Sequence, residues 1–291
     1  MIVARRQLWV GAVVLLTVVV AAGCGGTQGS APPTPTDTAI TTTDPGTRTT
    51  AGTLPPGVTD DNVTDSVALI ASHVETLSTQ SFTVVSTVRI RDLQSNQTLR
   101  RSRSIWRMVP TGTVRGEFFE TTTRVVDDSG EGSSGQRRAE IASYRRGDTV
   151  LRRTVTQEAR SAGPGTQSVN ESRVEFSRPT LTNASVRLGP AFNRDPILAV
   201  SEATNVTVNV VRRGGTRRYQ VTARLPDGPI RSNRTVGLLV RPDGLVTRIE
   251  KRYVSSYSEA VFSQTIRFRA IGETTVERPD WYSTAQNATD D

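Results

Sequence analysis

Phe82-Thr83-Val84-Val85-Ser86-Thr87-Val88-Arg89-Ile90-Arg91 is the stretch on which the fold turns. Read in steps of two, one set is Phe82, Val84, Ser86, Val88 and Ile90, and the other is Thr83, Val85, Thr87, Arg89 and Arg91. Successive side chains of a strand point to opposite faces, so the run predicts a strand in a sheet with one apolar and one wet side. The same period returns in Val206/Val208/Val210, Tyr219/Val221/Ala223/Leu225, Val236/Leu238/Val240 and Ala260/Phe262/Ile266/Phe268/Ala270. Between such runs stand turn residues. In Arg241-Pro242-Asp243-Gly244 the proline sets φ and the glycine accepts φ > 0. Arg146-Gly147-Asp148 joins Ile141–Arg145 to Thr149–Thr156 in the same way. The pattern predicts about nine to eleven antiparallel strands.

Ahead of the first strand the period changes to that of a helix. Val67, Ile70, Ala71, Val74 and Leu77 form one apolar stripe, with Thr64 or Asp65 as cap and Asp60, Asp61 and Asp65 at the positive end. A second, short helix is expected near Asp195–Ala203, where Pro196 suits a first turn. The fold class is therefore β-rich α+β. We expect a single large curved antiparallel sheet or half-barrel, with one N-terminal helix and one short helix packed on its concave face. It occupies residues 58–282 and is followed by a polar tail, 283–291.

The chain begins with an address. Arg5 and Arg6 precede an apolar run from Leu8 to Ala22, and Ala21-Ala22-Gly23-Cys24 then places small residues before the only cysteine. This reads as a lipoprotein signal over residues 1–23, in twin-arginine or general secretory form, with Cys24 as the lipid-attachment residue. The expected location is the cell membrane, anchored by lipid and facing the extracellular side. Residues 24–57 are the lipidated cysteine and a Thr/Pro/Gly/Ser linker too polar to order itself, with a reach of roughly 30 Å. Beyond Cys24 there is no cysteine, so the domain stands on packing without an intrachain disulfide.

The formal charge is +8, and Lys251 is the only lysine. The arginines are scattered through strands rather than gathered in a tail, which argues against a nucleic-acid partner; they are read first as keeping the outward strand faces soluble, with anionic lipid or an acidic surface glycoprotein as the partners they would suit. Seven of the nine asparagines lie in Asn-x-Ser/Thr, an enrichment that points to an exported glycoprotein: Asn62, Asn96, Asn170, Asn183, Asn205, Asn233 and Asn287.

No catalytic constellation emerges. His73, the only histidine, flanks the helix stripe and is read as a locally hydrogen-bonded border residue, and no Gly-x-Ser-x-Gly elbow accompanies it. Asp127-Asp128-Ser129-Gly130-Glu131-Gly132 opens like a calcium loop, but Arg138 stands where the twelfth-position acid belongs, so a polar hairpin loop is expected. One histidine excludes His/Glu zinc spacing, and neither a metal nor a cofactor is expected. The remaining candidate is the apolar face of the sheet, where Phe82, Val84, Tyr219, Val221, Phe262 and Phe268 would line a hydrophobic site.

Pro55-Pro56-Gly57-Val58-Thr59-Asp60-Asp61, His73-Val74-Glu75-Thr76-Leu77, Ser81-Phe82-Thr83-Val84, Tyr144–Arg153 and Arg278-Pro279-Asp280-Trp281 together resemble an archaeal group, haloarchaeal lipoproteins of unknown function. The order of elements is also similar to the LolA-like and mycobacterial LppX/LprG-like lipoprotein carriers. That resemblance implies a half-barrel shielding acyl chains. The expected function is a non-enzymatic, membrane-anchored lipoprotein that binds or carries a lipid-like ligand in the concavity. The alternative is a structural or interaction module of the cell envelope with no ligand cavity.

Overall fold

The structure, a computed structural model, describes residues 53–110, 116–130, 133–146, 149–160, 169–179 and 192–290. The chain divides into two compact units, Met1–Thr49 and Thr50–Asp291, and the described residues all belong to the second. The signal, Cys24 and most of the linker lie outside them, as do Gly147-Asp148, Glu131-Gly132 and Asn183.

Helix α1 (Ser66–Thr79) leads into β1 (Phe82–Asp92), β2 (Thr98–Pro110), β3 (Gly116–Gly130), β4 (Ser133–Arg146), β5 (Thr149–Arg160) and β6 (Val169–Ser177). Next comes α2 (Arg194–Leu198), which tightens into a 3-10 turn over Ala199–Glu202. The chain continues through β7 (Asn205–Arg213), β8 (Thr216–Arg224), β9 (Arg231–Val240), β10 (Val246–Ser255), β11 (Ala260–Arg269) and α3 (Tyr282–Thr289). All eleven strands form one antiparallel sheet in the order β6-β5-β4-β3-β2-β1-β11-β10-β9-β8-β7. Two meanders are thus joined at the middle, where β1 pairs with β11 from Thr83↔Arg269 to Asp92↔Ala260. The sheet is not closed into a barrel: β6 and β7 are its edges. Register shifts at Ile90/Arg91, Val246/Arg248 and Arg252/Val254 mark bulges, which bend strands.

The registers fix which residues share a face. Phe82 stands beside Met108, Val84 beside Phe268, Ile266 beside Ile249, and Leu238 beside Val221. We call this the inner face. With Leu69 and Leu77 from α1 and Phe192, Ile197 and Val200 around α2, these residues build the main core. Full burial of one such side chain stabilises by about 1.5–3 kcal/mol.

Asp65 caps α1, accepting at Oδ1 from the Ala68 N–H at 2.9 Å. The buried side of the helix is Ser66, Leu69, His73 and Leu77, whereas Val67 is 65% exposed and Val74 half-buried. The stripe expected from Val67, Ile70, Ala71, Val74 and Leu77 is therefore turned by about one position. Two polar residues, Ser66 and His73, occupy the inward face, and hydrophobicity alone does not register them.

The turn at 241–244 takes the expected form and also grips the helix. Gly244 has φ +85°, and a Cβ there would lie 2.6 Å from Ser72 Cβ on α1. The turn is closed by Gly244 N–H donating to the Arg241 carbonyl at 3.0 Å and by an Arg241–Asp243 ion pair at 2.7 Å.

At the C-terminus the expected polar tail is helical: α3 spans Tyr282–Thr289 and covers β5 and β6. Its Tyr282 ring meets Tyr144 edge-on at 5.4 Å. Tyr144 pairs with Phe119 and Leu151, on the opposite face from Phe118 and Met108. A second, small core of Ala142, Tyr144, Leu151 and Ala285 therefore lies on the outer face. Strands β4 and β5 are sandwiched here, which is why Ala142 through Arg145 are all buried and the period of two fails in that stretch.

Candidate functional site: the inner face of the sheet

Of the six residues expected to line a ligand site, Phe82, Val84, Tyr219, Val221 and Phe268 are at most 5% exposed. Phe82 packs against Phe192 and Phe268, with ring centroids 6.2 and 6.3 Å apart. These side chains fill the space under α1 and α2, so that end of the inner face is packed core. Phe262 alone is half-exposed, stacked on Tyr253 at 4.7 Å and paired in register with Ile90.

Between the packed end and the Phe262 end runs a band of polar side chains on the same face. The Gln264 amide donates to Ser86 Oγ at 3.0 Å; Ser104 and Thr122 share a hydrogen bond at 2.8 Å, and Thr122 donates to Glu120 at 3.1 Å. Arg152 Nε donates to Ser143 at 3.3 Å. Half-buried hydroxyls paired in this way lose less on leaving water than unpaired ones. Sequence reading passed over the band, although Ser86 already interrupts the apolar set of β1.

Trp106 and Lys251 are among the inner-face groups that have no hydrogen-bond or ion-pair partner among the described residues. Trp106 Nε1 is buried without an acceptor. Lys251, opposite Gln264 and Val236, forms no ion pair. Burial pushes its ammonium pKa down, Asp195 on α2 pulls it up more weakly, and Arg231 pushes it down again. Lys251 is thus a partly desolvated cation, with Asp195 and Arg231 as its charged neighbours. The sequence singled Lys251 out only by its rarity.

His73 is not a border residue. It is fully buried, accepting at Nδ1 from the Val246 N–H at 3.3 Å and donating from Nε2 to the Phe192 carbonyl at 2.9 Å. Burial is the main cause of its pKa falling to about 4, against the raising effect of the Phe192 bond. Both nitrogens are engaged and the ring is sealed, so this histidine clamps α1 to α2 and to the start of β10.

Asn62, Asn96, Asn205, Asn233 and Asn287 are exposed. Asn170 lies on edge strand β6, and its side chain is outside the described residues. Backbone pairing of β3 with β4 runs through Asp127↔Gln136 to Gly130↔Ser133, so Asp127 to Gly130, the first part of the stretch that opened like a calcium loop, are strand. Among the described residues, no group of three or more His, Cys, Asp or Glu side chains could hold a metal ion. No helix among them is long and apolar enough to cross a membrane.

No protein-family model matches this chain, and no curated protein matches it. Among solved structures, it is similar to a DUF1329 family protein from Desulfovibrio piger, with 12% identity, 76% of this chain and 97% of that chain covered, and a TM-score of 0.22. It is also similar to a β-barrel-like protein of domain of unknown function DUF1849 from Brucella abortus, with 10% identity, 68% and 98% covered, and a TM-score of 0.28. At those TM-scores neither likeness carries an argument about this chain.

Proposed function

We propose that this chain is a lipoprotein, anchored through Cys24 on the extracellular side of the membrane, whose domain binds a lipid-like molecule against the inner face of its sheet. The observation that carries the reading is the division of that face: a packed end under the helices, then a half-open end where Ile90, Tyr253 and Phe262 are bordered by Arg100 opposite Ile90 and by Arg231, whose guanidinium lies 4.9 Å from the Tyr253 ring centre. Lys251 and the polar band lie between the two ends and suit the head of the ligand, while Phe262 and Tyr253 suit its chain. The exposed sequons fit an exported glycoprotein. A lipid anchor would hold the domain close to a source of such ligands, since each buried methylene of an acyl chain contributes about 0.8 kcal/mol.

A second reading, an envelope module with a solid core, is favoured by the burial of Phe82, Val84, Tyr219, Val221 and Phe268. One experiment separates the two. Mass spectrometry of the organic extract of natively purified protein should recover a stoichiometric amphiphile from the wild type and little from Phe262→Asp. If both extracts are empty, the module reading stands and the carrier reading fails.

A further inference from the structure

On the outer face of β8–β11, side chains border a half-open hollow of about 340 Å³, whose lining also takes in the strand positions of Lys251 and Gln264. Gly237 on β9 forms its floor, standing in register between Thr222 and Glu250. Hydroxyls of Thr222, Thr235, Ser263 and Thr265 rise around it. Three guanidinium groups reach the hollow, from Arg213, Arg248 and Arg252, against one carboxylate, Glu250, which is ion-paired with Arg248. The Arg248 Nε is buried and has no acceptor among the described residues. A buried donor left without a partner costs stability unless something else supplies the acceptor. A second hollow of similar volume, with Arg224 and Asn233 at its edge, adjoins the first through Thr235 and Arg252.

The surrounding face is basic beyond what solubility needs. Arg248 stands directly opposite Arg267, and Arg89 opposite Arg101, and like charges so placed destabilise a sheet. None of Arg89, Arg101, Arg252, Arg267 or Arg269 forms an ion pair with a described residue. Such a field draws anions toward the hollow.

We propose that this hollow binds a phosphate group, carried either by a soluble phosphate ester or by a lipid headgroup. The forks of Arg213 and Arg252, both in the lining, supply charge-assisted donors of the kind phosphate oxygens accept, and the hydroxyls of Thr222, Thr235 and Thr265 stand around them. The glycine floor keeps the hollow open. A Cβ at Gly237 would find its nearest atoms at 3.7 Å, so a larger side chain fits the strand and fills the site.

The test uses the mature chain from residue 24 with Cys24→Ser, which carries neither the apolar run Leu8–Ala22 nor an acyl chain to insert into vesicles. Calorimetric titration at low salt with inorganic phosphate and glycerol 3-phosphate is run beside co-sedimentation with phosphatidylcholine vesicles, with and without phosphatidylglycerol. The expected result is binding that weakens about tenfold or more in Gly237→Val and in Arg252→Gln, with no loss of thermal stability in either. Binding of the soluble probes identifies an ester as the source, and binding of phosphatidylglycerol vesicles alone identifies a headgroup. No binding by any probe, or wild-type affinity in both variants, overturns the proposal.

Discussion

His73 donates a hydrogen bond from Nε2 to the carbonyl oxygen of Phe192, 2.9 Å away and 119 residues further along the chain. With the Val246 N–H donating to Nδ1, and the Phe268 ring edge-on at 4.9 Å, one imidazole ties together α1, the approach to α2, and strands β10 and β11. The bonds require the neutral ring, because a protonated Nδ1 could not accept from Val246.

That requirement gives a pH dependence with a definite sign. The folded pKa, about 4, lies below the ordinary value of 6.5, so the unfolded chain binds the extra proton first. Stability from this group is complete above pH 6.5 and is lost as pH falls from there to about 4, by about 3 kcal/mol. Urea unfolding at several pH values should show the loss in the wild type. His73→Gln should be less stable at pH 7 and lack that component. Parallel curves for the two proteins would contradict the buried neutral ring.

The turned face of α1 predicts unequal costs at neighbouring positions. Leu69→Ala should destabilise by about 2–5 kcal/mol, because the side chain is fully buried. Val67→Ala, at a position 65% exposed, should change stability by less than about 0.5 kcal/mol. Equal costs in chemical denaturation would restore the stripe read from hydrophobicity.

The outer core makes α3 a structural element. Ala285 is fully buried, so Ala285→Glu would place an unpaired charge against the sheet and should cost several kcal/mol, about 3 or more. A thermal melt unchanged by that substitution would show that the helix is not needed.

Much of the sheet was legible because period-two runs are long and their faces differ. β1 showed both of its faces in ten residues, and Arg241-Pro242-Asp243-Gly244 fixed the β9–β10 turn. The helix phase was misread because His73 and Ser66 are inward and polar, their places set by bonds to distant chain that no local pattern reveals. α3 was read as tail because its apolar contacts are few, chiefly Tyr282 and Ala285. The adjacent apolar pair Val150-Leu151, which alternation puts on opposite faces of β5, was the available sign that something covers the second face. Alternation put Phe82, Val84 and Phe268 on one face, as the registers do, but it says only which side a residue is on and not how far along the strand the helices reach.

Photo-crosslinking with a diazirine-bearing fatty acid tests the central claim, ligand binding at the half-open end of the inner face, most directly. After irradiation and proteolysis, peptide mass spectrometry should place adducts on the segments containing Ile90, Tyr253 and Phe262, with none on Phe82 or Tyr219, which are sealed in the core. Absence of adducts, or adducts confined to the outer face, would contradict the account.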